Sequence, residues 1–193
     1  MEVPADAREV LEFWFAQEHA AHWFVRSDAF DAQIRSQFAQ TVEAASAGEL
    51  DAWTRTPDGW LALLIVLDQF RRNVYRDDAR AWACDEKTLA LALAGIARGD
   101  DQRVPVSQRA FAYLPLEHAE DLGLQHRCVA LFAALCAAAK PAQRSALESF
   151  LDYARQHRHV IESFGRFPHR NALLGRSSTS AELAWLAKPG AGF

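Results

Sequence analysis

The segment GWLALLIVLDQF, positions 59–70, constrains the fold more than any other stretch of this 193-residue chain. It is apolar on nearly every face, and a helix of that kind is buried on all sides, so other elements must surround it. It is too short for the roughly 20 residues needed to cross a bilayer. Asp68 also interrupts it, and no apolar run in the chain approaches that length. The flanking sequence supplies helices to enclose it. Asp6-Ala-Arg-Glu9 reads as a capping box opening a helix with Val10, Phe13, Trp14 and Gln17 at helical spacing. Ser27 or Asp28 caps a long helix whose stripe is Phe30, Ile34, Phe38 and Val42, ending at Gly48. Asp77 is expected to open a helix through Trp82, Leu89, Leu93 and Ile96, stopped by Gly99. Ser107 caps a short helix with Phe111 and Tyr113. Pro115 suits the first turn of another, which Gly123 interrupts before an Ala-rich run to Ala139. Pro141 starts a helix ending at Phe164-Gly165, and Thr179-Ser-Ala-Glu182 is a second capping box.

No segment alternates with period 2, and β-branched residues are sparse, so strands are not expected. Connections are short, which favours antiparallel neighbours. The expected fold is all-α, made of paired antiparallel helices. With half of the residues apolar and no Gly/Ser-rich linker, positions 1–193 read as a single helical domain.

A net charge of −4 gives no bulk attraction to nucleic acid or to an anionic membrane, so neither is expected as a partner. The three cysteines, Cys84, Cys128 and Cys136, are odd in number and lack a C-x-x-C pair. They suggest buried free thiols in a reducing compartment rather than a disulfide framework or zinc ribbon. The N-terminus has neither a basic start nor an apolar core of signal-peptide type, so a cytoplasmic location is expected. The sequence implies no cofactor and no resident metal, and leaves the oligomeric state open.

Four polar clusters exceed what a plain bundle needs. Asp68, Arg72 and Asn73 close the buried helix; Arg72 lies four residues beyond Asp68 and pairs with it if the helix continues. Arg109 to Asp121 contains His118 and Asp121 three apart, on one face of a helix if it runs through, with Gln125 a turn further. That spacing suits a proton relay or a metal, while Glu117 and Glu120 fit a surface or helix-end position. His157 lies on the stripe Tyr153, His157, Ile161, Phe164, where a hydrogen-bonded core histidine is the plainer alternative to a catalyst. Finally, the stretch from Phe164 to Thr179 carries Arg166, His169, Arg170, Asn171 and Arg176. Its arginines suit bidentate capture of carboxylate or phosphate. Alternatively, they pin the loop by pairing with Asp68, Glu117, Glu120 and Asp121.

The strings LDQFRRNVYR (67–76), RAFAYLPLEHAEDLGLQ (109–125) and HRHVIESFGRFPHRNALLGRSST (157–179), with LEFWF (11–15), resemble the signature blocks of the bacterial domain of unknown function 924 family, in the same order. The resemblance implies an all-helical fold similar to tetratricopeptide-repeat proteins, with a right-handed superhelix. It carries over no catalytic residues. The family continues Asp-Gln-Phe with Pro where this chain has Arg71; a Pro there would push Phe70 out of helical geometry and end the helix before Arg72.

Three functional readings follow. The first is a binding module whose polar groove, with Asp68, Arg72, Asn73, Arg109, Glu120, Arg166, Arg170, Asn171 and Arg176, holds a peptide or small anionic ligand. The second is a hydrolase or transferase in which His118 or His157, with His169 and Asp121 as further candidates, moves protons on an anionic substrate. It requires the three signature blocks to converge in one water-accessible pocket, with His118 within about 10 Å of His157 or His169. The third is a buried ionic network that only locks the helices in register.

Overall fold

The computed structural model of the protein describes residues 2–192; positions 1 and 193, which the single-domain expectation also covers, lie outside it. The chain is all-α, with no strand among the described residues. None of the described helices is long and apolar enough to cross a membrane.

The chain groups into two compact units, one comprising Met1–Arg76 and Arg80–Pro115, the other Asp77–Ala79 and Leu116–Phe193. In the first, α1 (Ala5–Trp14) begins after Pro4, two residues earlier than a cap at Asp6 would allow, so the expected capping box does not form. Asp6 instead lies in the first turn, where the helix dipole favours its charge. Helix α2 (Asp28–Ala47) is capped by Ser27, whose Oγ accepts from the Phe30 amide at 3.3 Å. It buries Phe30, Ile34, Phe38 and Val42 as one stripe. Thr56 caps α3 (Pro57–Ile65), with Pro57 in the first turn where its missing amide costs nothing.

Every residue of α3 from Gly59 onward is buried. The helix does not stop at Phe70. It passes through a π-turn, Val66–Phe70, into α4 (Arg71–Val74), and the Arg71 amide donates to Val66 O. A proline at 71 has no such amide, whereas Arg71 supplies it and the helix continues. Helix α5 (Asp85–Arg98) opens at Asp85 rather than Asp77. Asp77 takes a left-handed φ of +62°, which a short Asp tolerates in a turn but which cannot begin a helix. Around α3 the core is aromatic: the Trp14 ring lies 5.6 Å from both Phe70 and Phe111, and Phe38 lies 4.8 Å from Phe70.

The division between units falls within α6 (Ala110–Glu117), and Pro115 sits inside this helix rather than starting a new one. In the second unit, α7 (Leu122–Ala138) and α8 (Pro141–Phe164) form a helical hairpin across Ala139-Lys140. Helix α8 buries Leu147, Leu151, Ala154, His157, Val160 and Ile161; Tyr153, expected on that stripe, is 49% exposed. Gly165, at φ +69°, ends α8 in a left-handed cap. A one-turn 3-10 segment, Pro168–Arg170, and α9 (Ser180–Leu186) complete the unit, with Phe167 packed on Val160 and Ile161.

Candidate functional site

In the first unit the polar residues pair largely with one another, although Arg72 Nε and Arg109 Nε find no partner among the described residues. Asp68 is buried, and Arg72 donates to it at 2.9 Å and to Asp85 at 3.1 Å. Burial works to lower the Arg72 pKa, but the two carboxylates outweigh it and the guanidinium is held above its ordinary value. Asn73 donates to Asp31 at 2.7 Å, and Arg76 adds a bidentate pair to the same carboxylate. Burial of Asp31 favours the neutral acid, yet these donors leave its pKa below the usual range. Arg71 donates to Arg80 O and Ser46 Oγ, both at 2.6 Å. Arg109 donates to Gln102 Oε1 at 2.9 Å.

The second unit assembles a different group. Helix α6 ends at Glu117, and α7 begins at Leu122, so residues 118–121 are not helical. The expected His118–Asp121 face therefore does not exist. Asp121 instead caps α7, accepting from the Leu124 amide at 2.8 Å. Gln125 bonds across the break, donating to Glu117 O at 2.6 Å and Ala119 O at 2.9 Å. This break leaves Glu117 and His118 as the last residue of one helix and the first beyond it, and α8 brings His157 to them.

Glu117 and His157 are both buried, and Glu117 Oε1 lies 3.3 Å from His157 Nδ1. His157 Nδ1 also lies 2.9 Å from Tyr153 O. Two oxygen acceptors on Nδ1 assign the ring hydrogen to that nitrogen and the lone pair to Nε2. Burial is the main cause holding the His157 pKa well below 6.5; His118, Arg170 and His169 push the same way, against the Tyr153 carbonyl. The Glu117–His157 contact is therefore between a carboxylate and a neutral imidazole, not an ion pair. The His118 and His157 ring centroids are 6.1 Å apart, inside the limit of about 10 Å that the enzyme reading sets. Glu117, His118 and His157 each offer one ligating atom, and these atoms lie within 4.8 Å of one another.

Phe167 closes one side, its ring 5.5 Å from His157. The Arg170 guanidinium lies over the Phe167 ring at 4.5 Å, and His169 is 5.7 Å from the same ring. Cys128 is fully buried; burial first and Glu117's charge second push its thiol pKa up, so it stays protonated.

The loop arginines have distinct fates. Arg176 makes a bidentate pair with Glu120 at 2.6 and 2.9 Å and donates to Asn171 Oδ1. Glu120 also accepts from the Phe167 amide. Its burial favours the neutral acid, but these donors hold its pKa below the usual range. Arg166 makes a bidentate pair with Glu182 at 2.7 and 2.9 Å. The sequence flagged Glu182 only as half of a capping box, which does form; its second role with Arg166 went unseen. Bonds from Arg166 first, then the Thr179 amide, pull the Glu182 pKa down to about 2. Glu117 is the other residue missed: a surface position suited its sequence, and only the tertiary fold buries it.

A more open cleft of about 390 Å³ lies elsewhere in this unit, lined by Arg155, His159, Val160, Trp185 and Lys188 among others; Glu117, His118 and His157 do not line it.

Against this geometry, the model of a family described as bacterial protein of unknown function, DUF924, matches residues 10–190. Among solved structures, that of the protein of unknown function ATU0120 from Agrobacterium tumefaciens is similar, with 36% sequence identity and a TM-score of 0.85 over 96% of this chain and 99% of that one. No curated protein matches the chain.

Proposed function

The chain belongs to the bacterial DUF924 family of unknown function, and from its own residues we propose that it is an enzyme whose proton-transfer centre is Glu117, His118 and His157, acting by hydrolysis or group transfer on a small anionic substrate. The observation that carries this reading is the meeting of a buried carboxylate and two imidazoles from separate helices' ends and faces. His157 Nε2 offers the basic lone pair. Glu117, on the Nδ1 side, stabilises the imidazolium that forms when Nε2 takes a proton, the role an orienting carboxylate plays beside a catalytic histidine. His118 is placed to pass a proton onward. Arg170, near enough to depress the His157 pKa, supplies positive charge for the substrate's anionic group.

The alternative, an arginine-lined groove for a peptide, is less well supported because Arg166 and Arg176 already spend paired donors on Glu182 and Glu120. Buried thiols suit a cytoplasmic setting. A panel of small esters and phosphoesters tests the enzyme. Turnover of at least one substrate is expected, falling by roughly 10²–10⁴-fold in His157→Gln and Glu117→Gln proteins that keep their circular dichroism. Absence of turnover across the panel, or rates indifferent to both changes, rejects the reading.

A further inference from the structure

We infer that Glu117, His118 and His157 bind one divalent transition-metal ion, with zinc(II) the best match to the donors. This goes beyond the reading above on the same three residues, because an imidazole nitrogen bound to the ion has no lone pair left to take a proton. The argument rests on donor chemistry and geometry. Two imidazoles and one carboxylate are the donor set of zinc hydrolases that leave a fourth position open, and of the two-histidine, one-carboxylate sites of other first-row metals. Magnesium and calcium prefer all-oxygen shells and fit these donors poorly.

The ligating atoms already lie within 4.8 Å of one another. Around a tetrahedral ion with bonds of about 2.1 Å, ligand atoms sit about 3.4 Å apart, so the widest separation must close by roughly 1.4 Å. Glu117 and His118 stand where α6 ends, and Gln125 ties the Glu117 carbonyl at 2.6 Å, so the closing must come from side-chain torsions. His157 is held from behind, its Nδ1 against the Tyr153 carbonyl 2.9 Å away. A backbone carbonyl on the remote ring nitrogen is the usual outer support of a metal-bound histidine and leaves Nε2 as donor, so Glu117, 3.3 Å from Nδ1, must turn its carboxylate toward the Nε2 side to complete the set.

The ion's charge would exceed that of the single carboxylate, so a substrate carrying carboxylate or phosphate would balance it at the open metal position. This names the substrate class: a small anion with a hydrolysable or transferable group.

The full chain, produced without a histidine tag and stripped with chelator, is titrated with zinc chloride and, separately, with cobalt(II) chloride. Expected are one equivalent of zinc by elemental analysis after dialysis, and the visible absorption of four- or five-coordinate cobalt. His118→Ala and Glu117→Gln should each weaken zinc binding at least about tenfold, whereas the exposed His159→Ala should not. No bound ion, or binding equally tight in both site variants, overturns the metal site. The two readings can fail separately. Turnover by a protein that binds no ion overturns the ion and leaves the proton-transfer centre standing; a bound ion without turnover of any panel substrate supports the ion and overturns the reaction.

Discussion

Asp68 is 2% exposed at the end of the most apolar helix, and its charge is met by Arg72, which also pairs with Asp85, and by the side-chain amide of Gln69. Removing one member of such a group costs about 3–5 kcal/mol, and Asp85 still serves Arg72, so Asp68→Ala should lose about 3 kcal/mol in chemical denaturation. Glu182 makes a pH-dependent case. Its folded pKa of about 2 lies below the ordinary 4.5, so its contribution is present above pH 4.5 and is lost as pH falls toward 2. The melting-temperature gap between the natural protein and Glu182→Gln should be widest near neutrality, shrink between pH 5 and pH 2, and vanish below. At this scale the sequence revealed pairs that are close along one helix, such as Asp68 with Arg72. It did not reveal Glu117 with His157 or Arg166 with Glu182, because nothing local encodes which distant helix a side chain meets.

Among the elements, the start of α7 shows how a break in a helix changes what a residue does. His118 and Asp121 were paired on the assumption of a continuous helix; the break between them turns Asp121 into a cap. Asp121→Ala should therefore cost about 1 kcal/mol in stability, with Asp121→Ser largely restoring it. A larger loss of turnover than of stability would return Asp121 to the chemistry. The packing of α5 on α3 is tighter than its hydrophobic pattern suggested. A Cβ at Gly95 would stand 2.1 Å from Trp60 Cε2, and the same indole donates to Leu91 O at 2.8 Å. Gly95→Ala should cost about 1–3 kcal/mol and alter the near-ultraviolet signal of Trp60. Helix existence was legible from periodicity because burial repeats with the helical turn. Helix boundaries were less so: Pro4 rather than Asp6 opens α1, and Asp77 bends the chain before α5.

For the molecule as a whole, all three cysteines are buried, and burial leads the rise in thiol pKa at Cys128 and Cys136. A thiol reagent should barely label the native chain and should reach three equivalents in denaturant, with labelling tracking unfolding. Rapid labelling of native protein would contradict this. The all-helical class was legible from the buried segment at 59–70. The wide turn within that segment was not, because it depends on a single backbone bond, Arg71 N–H to Val66 O. A π-turn holds one residue more than an α-turn, which rotates everything after it by about 100° about the axis. Deleting one residue there would swing Arg71 away from Ser46, Arg72 from Asp68 and Asn73 from Asp31 all at once. This stretch can thus exchange side chains over evolutionary time far more readily than it can change length, and an insertion or deletion between 66 and 70 should be among the least tolerated edits to the chain.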